Sequence, residues 1–200
     1  LRRAVLADLP DPDIYVVEDD EVEYLRGLFG EKGRTYGIFD HEFLVAYGAL
    51  GLPGPCDQDN LGWQLGYPLE KRKQVAHIES CMVLPVYRGY AFQRFLLQVR
   101  FAVALAAMRR YAVAMVSLKN HQSRHNMLQA GMHISWIGEL SHGRKRQLMV
   151  ADLLAARQGQ PDARLILDAN DYTAQQAATQ AGLEGWRDKN EDGKTFIEFG

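Results

Sequence analysis

Apolar and polar positions follow two periods along this chain, and each change of period marks an element. Thr35 to Phe39 and Phe43 to Leu50 read as two strands joined by a tight turn at Asp40-His41-Glu42. Val75 to Val83 repeats the strand pattern and stops at Pro85. From Ala91 to Tyr111 the period lengthens. Phe92, Phe95, Leu96, Val99, Val103 and Ala106 recur at steps of three and four, which lays them on one face of a long helix. Ala112 to Leu118 predicts a short apolar strand, and Asn120 a good N-cap for a helix closed by Gly131. Ile134 to Leu140 and Arg146 to Leu153 predict a hairpin around Ser141-His142-Gly143. The tail adds a strand at Arg164 to Leu167, a helix from Asp171 to Ala181 and a hairpin turning at Asp192-Gly193. Near the start, Asp19-Asp20-Glu21-Val22-Glu23-Tyr24-Leu25 supplies the acidic first turn of a further helix. Gly51 to Lys73 shows little periodicity and predicts a long loop, of a kind that is usually functional or mobile. The segments Asn120 to Gly131 and Asp171 to Gly182 share a polar cap and a Gln-Ala-Gly ending, an echo of strand–helix–strand units.

No low-complexity tract or Pro-rich linker divides the chain, so 200 residues predict one domain, with 154–200 as a C-terminal extension of it. A composition that is 47% hydrophobic and 24% charged excludes a disordered or fibrous protein. Twenty-three basic against 25 acidic side chains give a net charge of −2, which argues against a nucleic-acid partner. The apolar stretch from Phe95 to Val116 is interrupted by Gln98, Arg100, Arg109 and Arg110, so no membrane span is expected. Two cysteines, Cys56 and Cys81, do not make a disulfide scaffold and fit a cytoplasmic location. Leu1-Arg2-Arg3-Ala4-Val5-Leu6-Ala7-Asp8 lacks the pattern of a signal peptide. Because the chain opens without methionine, a few residues are expected to precede it.

Candidate chemistry concentrates between Val83 and Leu97. A strand ends, Pro85 enforces an extended turn, Gly89 and Ala91 supply small side chains, and a long helix begins. Such a turn presents backbone N–H groups and the positive end of a helix dipole, a natural seat for phosphate. Arg88 and Arg94 can add charge-assisted hydrogen bonds. The Gly-Lys-Ser/Thr of a nucleotide P-loop and the glycine spacing of a dinucleotide fold are both missing.

The segment resembles motif A of the GNAT superfamily of acyl-CoA-dependent N-acyltransferases, whose turn runs Arg/Gln-x-x-Gly-x-Gly/Ala after a strand ending Val-x-Pro. Arg88 takes the first motif position, Ala91 the first glycine and Gln93 the last small residue; the latter two depart from the pattern. Asn120-His121-Gln122-Ser123 followed by Leu128-Gln129-Ala130-Gly131-Met132 is similar to the downstream Asn-x-x-Ala/Ser…Gly-Phe signature. The resemblance is strong from Val75 to Met132 and extends from Thr35 to Leu153. It implies an α/β (α+β) fold with a mixed, mostly antiparallel twisted sheet flanked by helices. It also implies transfer of an acetyl group from acetyl-CoA to a primary amine in a ternary complex, without a metal. The implied cofactor-binding residues are Met82, Val83 and Leu84 through their N–H groups, Arg88, Gly89, Tyr90, Ala91, Phe92 and Gln93 at the turn, and Asn120 and Ser123 beside the pantetheine arm. A homodimer is compatible with it. The alternative is a non-catalytic acyl-CoA-binding or protein-interaction module that has kept the fold.

Alternation places His77, Glu79 and Cys81 on one face of their strand, and Glu79 is the first candidate for a general base, helped by partial desolvation. An ion-paired strand glutamate is the competing reading. His77 is the weaker candidate base. The tyrosine that many relatives carry seven residues after the asparagine is replaced by Met127, which cannot donate a proton; Ser123, His125 or a nearby tyrosine are the substitutes to consider. In the long loop, Trp63, Tyr67, Asp57, Asp59 and Glu70 could select a cationic amine, or be a solvated loop with two anchoring aromatics. His121-Gln122-Ser123-Arg124-His125 lacks the glutamate of a zinc protease motif, and Asp188-x-Asn190-x-Asp192-Gly193 lacks the twelfth-position glutamate of a calcium loop. Arg144-Lys145-Arg146 reads as a solvated turn, and Cys81 as a buried thiol.

Overall fold

The computed structural model describes residues 1–15, 17, 19–140, 143–155 and 161–200. Helix α1 (Arg2–Ala7) and a 3-10 turn (Pro12–Ile14) precede α2 (Glu21–Gly27), whose N-cap Asp20 accepts from the Glu23 N–H. Strands β1 (Gly33–Asp40) and β2 (Phe43–Gly51) form a hairpin, and the following loop carries α3 (Leu69–Arg72). Next come β3 (Val75–Val83), a 3-10 turn (Pro85–Tyr87), α4 (Phe92–Ala106), β4 (Tyr111–Ser117) and α5 (His121–Gln129). Strands β5 (His133–Leu140) and β6 (Arg144–Asp152) complete this part; Ser141 and His142 of the expected turn lie outside the described residues. The tail forms β7 (Leu165–Asp168), α6 (Tyr172–Gln180), β8 (Gly185–Glu191) and β9 (Lys194–Phe199).

The nine strands among the described residues lie in one sheet, in the order β1-β2-β3-β4-β6-β5-β8-β9-β7. Among the described residues, β3 and β4 are the only parallel neighbours, and they share just three residue pairs, Val75–Tyr111, Ala76–Ala112 and His77–Val113. Beyond His77 the two strands part. The mixed, mostly antiparallel sheet is the one expected from sequence. Leu97, Phe101 and Ala104 of α4, Met127 and Leu128 of α5 and Ala178 of α6 pack on one face of it. The other face is covered by α1, through Val5 against Tyr47 and Met82, and by the 52–68 loop, through Leu61, Leu65 and Tyr67. No helix among the described residues is long and apolar enough to cross a membrane.

Helix α4 is shorter than its periodicity predicts. It stops at Ala106 because Met108 takes a left-handed conformation (φ 57°) and the Arg109 N–H closes back on the Ala104 carbonyl. That is a Schellman-type ending without its usual glycine. The tail also fulfils the sequence echo in space. The units β4–α5–β5–β6 and β7–α6–β8–β9 have the same element order and stand in mirrored order about the antiparallel β5–β8 contact. Asn120 and Asp171 each cap their helix through Oδ1, and Gly131 (φ 91°) and Gly182 (φ 82°) end it.

Strand β3 contains a bulge. Gly48 faces Cys81 on one side of it and Leu50 faces Ile78 on the other, so β3 carries one extra residue at Glu79–Ser80. The carbonyls that this irregularity leaves are taken up from below. Arg100, 1% exposed, reaches from α4 to donate to the Glu79 carbonyl (3.1 Å) and the Ala49 carbonyl (3.3 Å), while its Nε donates to Leu96 (3.0 Å). Gly48 leaves the space: a Cβ there would stand 3.1 Å from the arginine Nε. Replacing Arg100 by methionine should leave these carbonyls without donors and cost roughly 2–4 kcal/mol, read as a lower urea midpoint. Arg94→Met, at an exposed position of the same helix, should leave that midpoint unchanged.

Candidate active site

Two clefts open where β3 and β4 part. The first, of about 760 Å³, runs between the Val83–Arg94 turn and the N-terminal end of α5. The second, of about 580 Å³, lies against the 52–68 loop and holds Glu79. They meet at Ile14, Cys81, Asn120 and Ser123, which line both.

The turn follows from its residues. Gly89 (φ 88°) and Ala91 (φ 61°) both take left-handed conformations, and Ala91 is the N-cap of α4. A non-glycine residue at this φ is strained, so Ala91→Gly should raise the unfolding free energy by about 1 kcal/mol, measured by denaturant titration. No side chain among the described residues caps α4, unlike α2, α5 and α6, so its first N–H groups are left for a ligand. Gln93 does not obstruct this end. Its Nε2 donates to Ser123 Oγ (3.1 Å) and its Oε1 accepts from Asn126 (2.7 Å), tying the two helices that wall the cleft.

Of the sequence-predicted cofactor residues, Met82, Val83, Arg88, Gly89, Ala91, Phe92, Gln93, Asn120 and Ser123 line the first cleft, and Leu84 and Tyr90 do not. Tyr90 is exposed and stacks on Phe92 at 6.0 Å. The Leu84 N–H is engaged by the Val45 carbonyl (2.9 Å), which corrects its expected role. Alternation of the antiparallel ladder turns the Met82 N–H toward Tyr47 as well, and leaves Val83 to present its N–H to the parting. Asn120 Oδ1 is spent on the Ser123 N–H (3.1 Å). Met127 is buried in the core under α5.

The N-terminal segment, to which the sequence assigned no part in the site, forms a strap that is the outer wall. Val5, Leu9, Pro10 and Ile14 line the first cleft. Three strap aspartates each meet a cation beside the clefts: Asp8 with Arg88 (2.6 Å), Asp11 with Lys119 (2.8 Å) and Asp13 with Arg146 (3.3 Å). Arg2 fastens the strap from behind, bonding Glu21, Tyr15 (2.9 Å) and Tyr47 (2.8 Å). The Asp11-Pro12-Asp13 string, a side-chain cap ahead of a first-turn proline, is the signal that marks this turn.

The bulge corrects the expected alternation on β3. Glu79 and Ser80 both face the strap and loop, Ser80 bonding Tyr47 (2.8 Å) and Tyr15 (3.0 Å). Cys81 is turned instead toward Arg100, and burial pushes its thiol upward, away from a nucleophilic thiolate. Glu79 keeps about 28% of its side chain accessible. Its Oε1 lies 3.4 Å from His77 Nδ1 and its Oε2 accepts from Tyr24 (3.3 Å). Burial pushes this carboxyl upward, but the bonds from His77 and Tyr24 and the charge of Arg100 outweigh it and hold it below the ordinary range. The expected benefit of desolvation is thus reversed. A depressed carboxylate stabilises the fold above the ordinary Glu range and loses that contribution as pH falls through the depressed value. The urea midpoints of the wild type and of Glu79→Gln should therefore converge between pH 7 and about pH 3.

The loop aromatics are occupied by the chain's own cations. Arg72 stacks on Trp63 at 3.3 Å and Lys71 on Tyr67 at 3.6 Å. Asp57 pairs with Lys32 (2.8 Å) and Glu70 with Lys73 (2.8 Å), so of this set only Asp59 lines the second cleft. His121 Nδ1 meets Arg124 (2.7 Å) and His125 meets Asp188 (2.9 Å). Asp192 and Gly193 form the expected tight turn, both at positive φ.

No family model matches the chain, and no curated protein matches it in sequence. Solved structures do match in fold. NAA60 of Arabidopsis thaliana, in complex with acetyl-CoA, is 13% identical and aligns over 70% of this chain and 86% of its own, with a TM-score of 0.55. The N-acetyltransferase of Staphylococcus aureus Mu50 is 14% identical over 76% and 92%, TM-score 0.54. A Bacillus subtilis acetyltransferase in complex with CoA is 16% identical over 77% and 91%, TM-score 0.52. The chain thus shares the fold of these solved structures.

Proposed function

We propose that this chain is an acyl-CoA-dependent N-acyltransferase that moves an acetyl group from acetyl-CoA to a primary amine by direct attack in a ternary complex, with 154–200 an extension of its one domain. The observation that carries this reading is the junction at Cys81, Asn120 and Ser123, where a cleft walled by an uncapped helix end meets a cleft holding a carboxylate. The acetyl-CoA and CoA bound in the Arabidopsis and Bacillus proteins support it. Gly89, Ala91 and the first turn of α4 suit the diphosphate, because no side chain among the described residues caps the helix and the space above Gly89 is open. Acetyl-CoA supplies the thioester. The Val83 N–H, which faces the parting, is the donor for the carbonyl oxygen in this reading as negative charge develops. Glu79 takes a proton from the amine, directly or through a water, so that the nitrogen can form its bond to the acyl carbon as the carbon–sulfur bond breaks. The sulfur leaves as a thiolate, which its reference pKa near 8.5 permits without a tyrosine. Ser123, whose oxygen already accepts from Gln93, keeps its own hydrogen to offer at the junction.

Calorimetric titration with acetyl-CoA should show one saturable site in the wild type and a loss of at least tenfold in affinity in Ala91→Trp. Glu79→Gln should keep the affinity and lose roughly 10²-fold or more in kcat with an amine acceptor. The second reading, a binding module without turnover, is favoured by the occupation of Arg88 by Asp8. It requires acetyl-CoA binding with no turnover across an amine panel. Because Asp8 and Asp11 hold two of the cations that a polyanion would seek, Asp8→Asn/Asp11→Asn should bind acetyl-CoA several-fold more tightly at low salt, with the gain fading as salt rises.

A further inference from the structure

Beside Glu79 lies a buried histidine whose other nitrogen is bound to the 52–68 loop. His77 is 5% exposed, and its Nε2 accepts the Leu61 backbone N–H at 3.1 Å. An accepting nitrogen carries no proton, so the hydrogen-bond pattern assigns the ring proton to Nδ1. That nitrogen faces Glu79 Oε1 at 3.4 Å. One hydrogen bond from the loop to the ring and one 3.4 Å contact from the ring to the carboxylate therefore link Leu61, His77 and Glu79. The space for it is built in, since a Cβ at Gly51, the β2 partner of His77, would stand 3.1 Å from Glu79 Oε1 and 3.2 Å from His77 Cβ. Leu61 is also a wall residue of the second cleft, with Gln58, Asp59 and Gln64 from the same loop.

We propose that His77 is a positioning residue, locked as its Nδ1–H tautomer by the Leu61 N–H, that fixes the Glu79 carboxylate by one oxygen and ties its orientation to the loop lining the acceptor cleft. The proposal rests on the acyltransfer reading for its kinetic consequence and on geometry alone for the placement of Glu79. One carboxylate oxygen is held by His77 and the other meets the Tyr24 hydroxyl at the cleft wall, so rotation about the carboxyl axis is fixed from both ends. The remaining charged groups that reach Glu79 or line its cleft are Arg100 from α4, Asp59 from the loop and Arg146 of β6, the last paired with Asp13. None of these supplies a second donor to Oε1 among the described residues.

The test compares His77→Leu, which removes both ring nitrogens, with His77→Asn, whose amide can place a donor near the Nδ1 position. Two readouts are taken on the full chain: the ¹³C titration of the Glu79 carboxyl, identified by its loss in Glu79→Gln, and kcat against pH with an amine acceptor. In His77→Leu the Glu79 midpoint should move to higher pH, the acidic limb of the rate profile should follow it, and kcat should fall roughly tenfold or more with the KM for acetyl-CoA unchanged. His77→Asn should recover most of both. Gly51→Ala, which crowds the pair while keeping the ring, should move the midpoint in the same direction as His77→Leu, so the inference stays testable if the leucine variant does not fold. A Glu79 midpoint in His77→Leu equal to that of the wild type overturns the proposal, as does an asparagine variant as perturbed as the leucine one. If the titrations behave as expected while the wild type acylates no amine, the acyltransfer reading fails and the placement of Glu79 by His77 stands.

Discussion

The clefts exist because two parallel strands stop pairing. Strands β3 and β4 begin side by side, exchange hydrogen bonds only through His77 and Val113, and then diverge toward different helices. Divergence is expensive for a backbone, since each unpaired N–H and C=O in a shielded place needs a partner. The protein meets that demand asymmetrically. On the β2 side of β3 the ladder continues, with Arg100 supplying donors at the bulge. On the β4 side the groups past His77 face the clefts. Backbone polarity that would otherwise be a defect is thereby turned into a cleft that the uncapped start of α4 also lines. Arg100 thus supports the site without entering it. By filling the bulge it keeps Glu79 and Ser80 on the same face and turns Cys81 away.

The strap shows how the charged rim is kept stable without a ligand. Arg88, Lys119 and Arg146 are spread over three elements, and each would raise the local potential beside the clefts. Asp8, Asp11 and Asp13 come from one short segment and meet all three. Exposed pairs of this kind contribute little to folding and are readily exchanged for another anion. The pair at Arg146 differs, because that guanidinium is almost wholly buried and also donates to the Asp13 carbonyl at 3.1 Å. The segment therefore has a loosely held end over the Val83–Arg94 turn and a firmly held end at the second cleft.

What was legible in the sequence follows from which forces are local. The strand pattern of β3, the Asn120 and Asp171 caps and the glycines that end α5 and α6 are set by neighbours within a few residues, and they fall where expected. The turn between β3 and α4 was legible for the same reason. Three features were hidden, each for its own physical reason. The bulge at Glu79–Ser80 depends on Arg100, some twenty residues away in sequence, and period-two alternation cannot anticipate an added residue. The end of α4 at Met108 depends on a left-handed residue that carries no glycine to announce it. The loop aromatics had the composition of an amine-selecting wall, yet Arg72 and Lys71 of the same chain already cover Trp63 and Tyr67. Composition identifies a cation–π site without telling whose cation fills it.

The mirrored tail explains why one local pattern yields a site only once. Both units present a strand, a capped helix and a hairpin, and α5 and α6 share one core through Met127, Leu128 and Ala178. In the first unit β4 has β3 beside it, and the parting of that pair makes the clefts into which Asn120 and Ser123 point. In the second unit β7 has no neighbour on its outer side among the described residues, and there is no strand to part from. The cap has also changed from Asn120 to Asp171, whose negative charge suits the helix dipole but repels an anionic ligand. The candidate site therefore belongs to the outer edge of the first unit, where β4 parts from β3. A capped helix contributes to it only where a diverging strand leaves backbone donors beside the cap, which is why the Asn120 signal gained meaning from the Val83–Gln93 turn while the equally regular Asp171 signal marks packing alone.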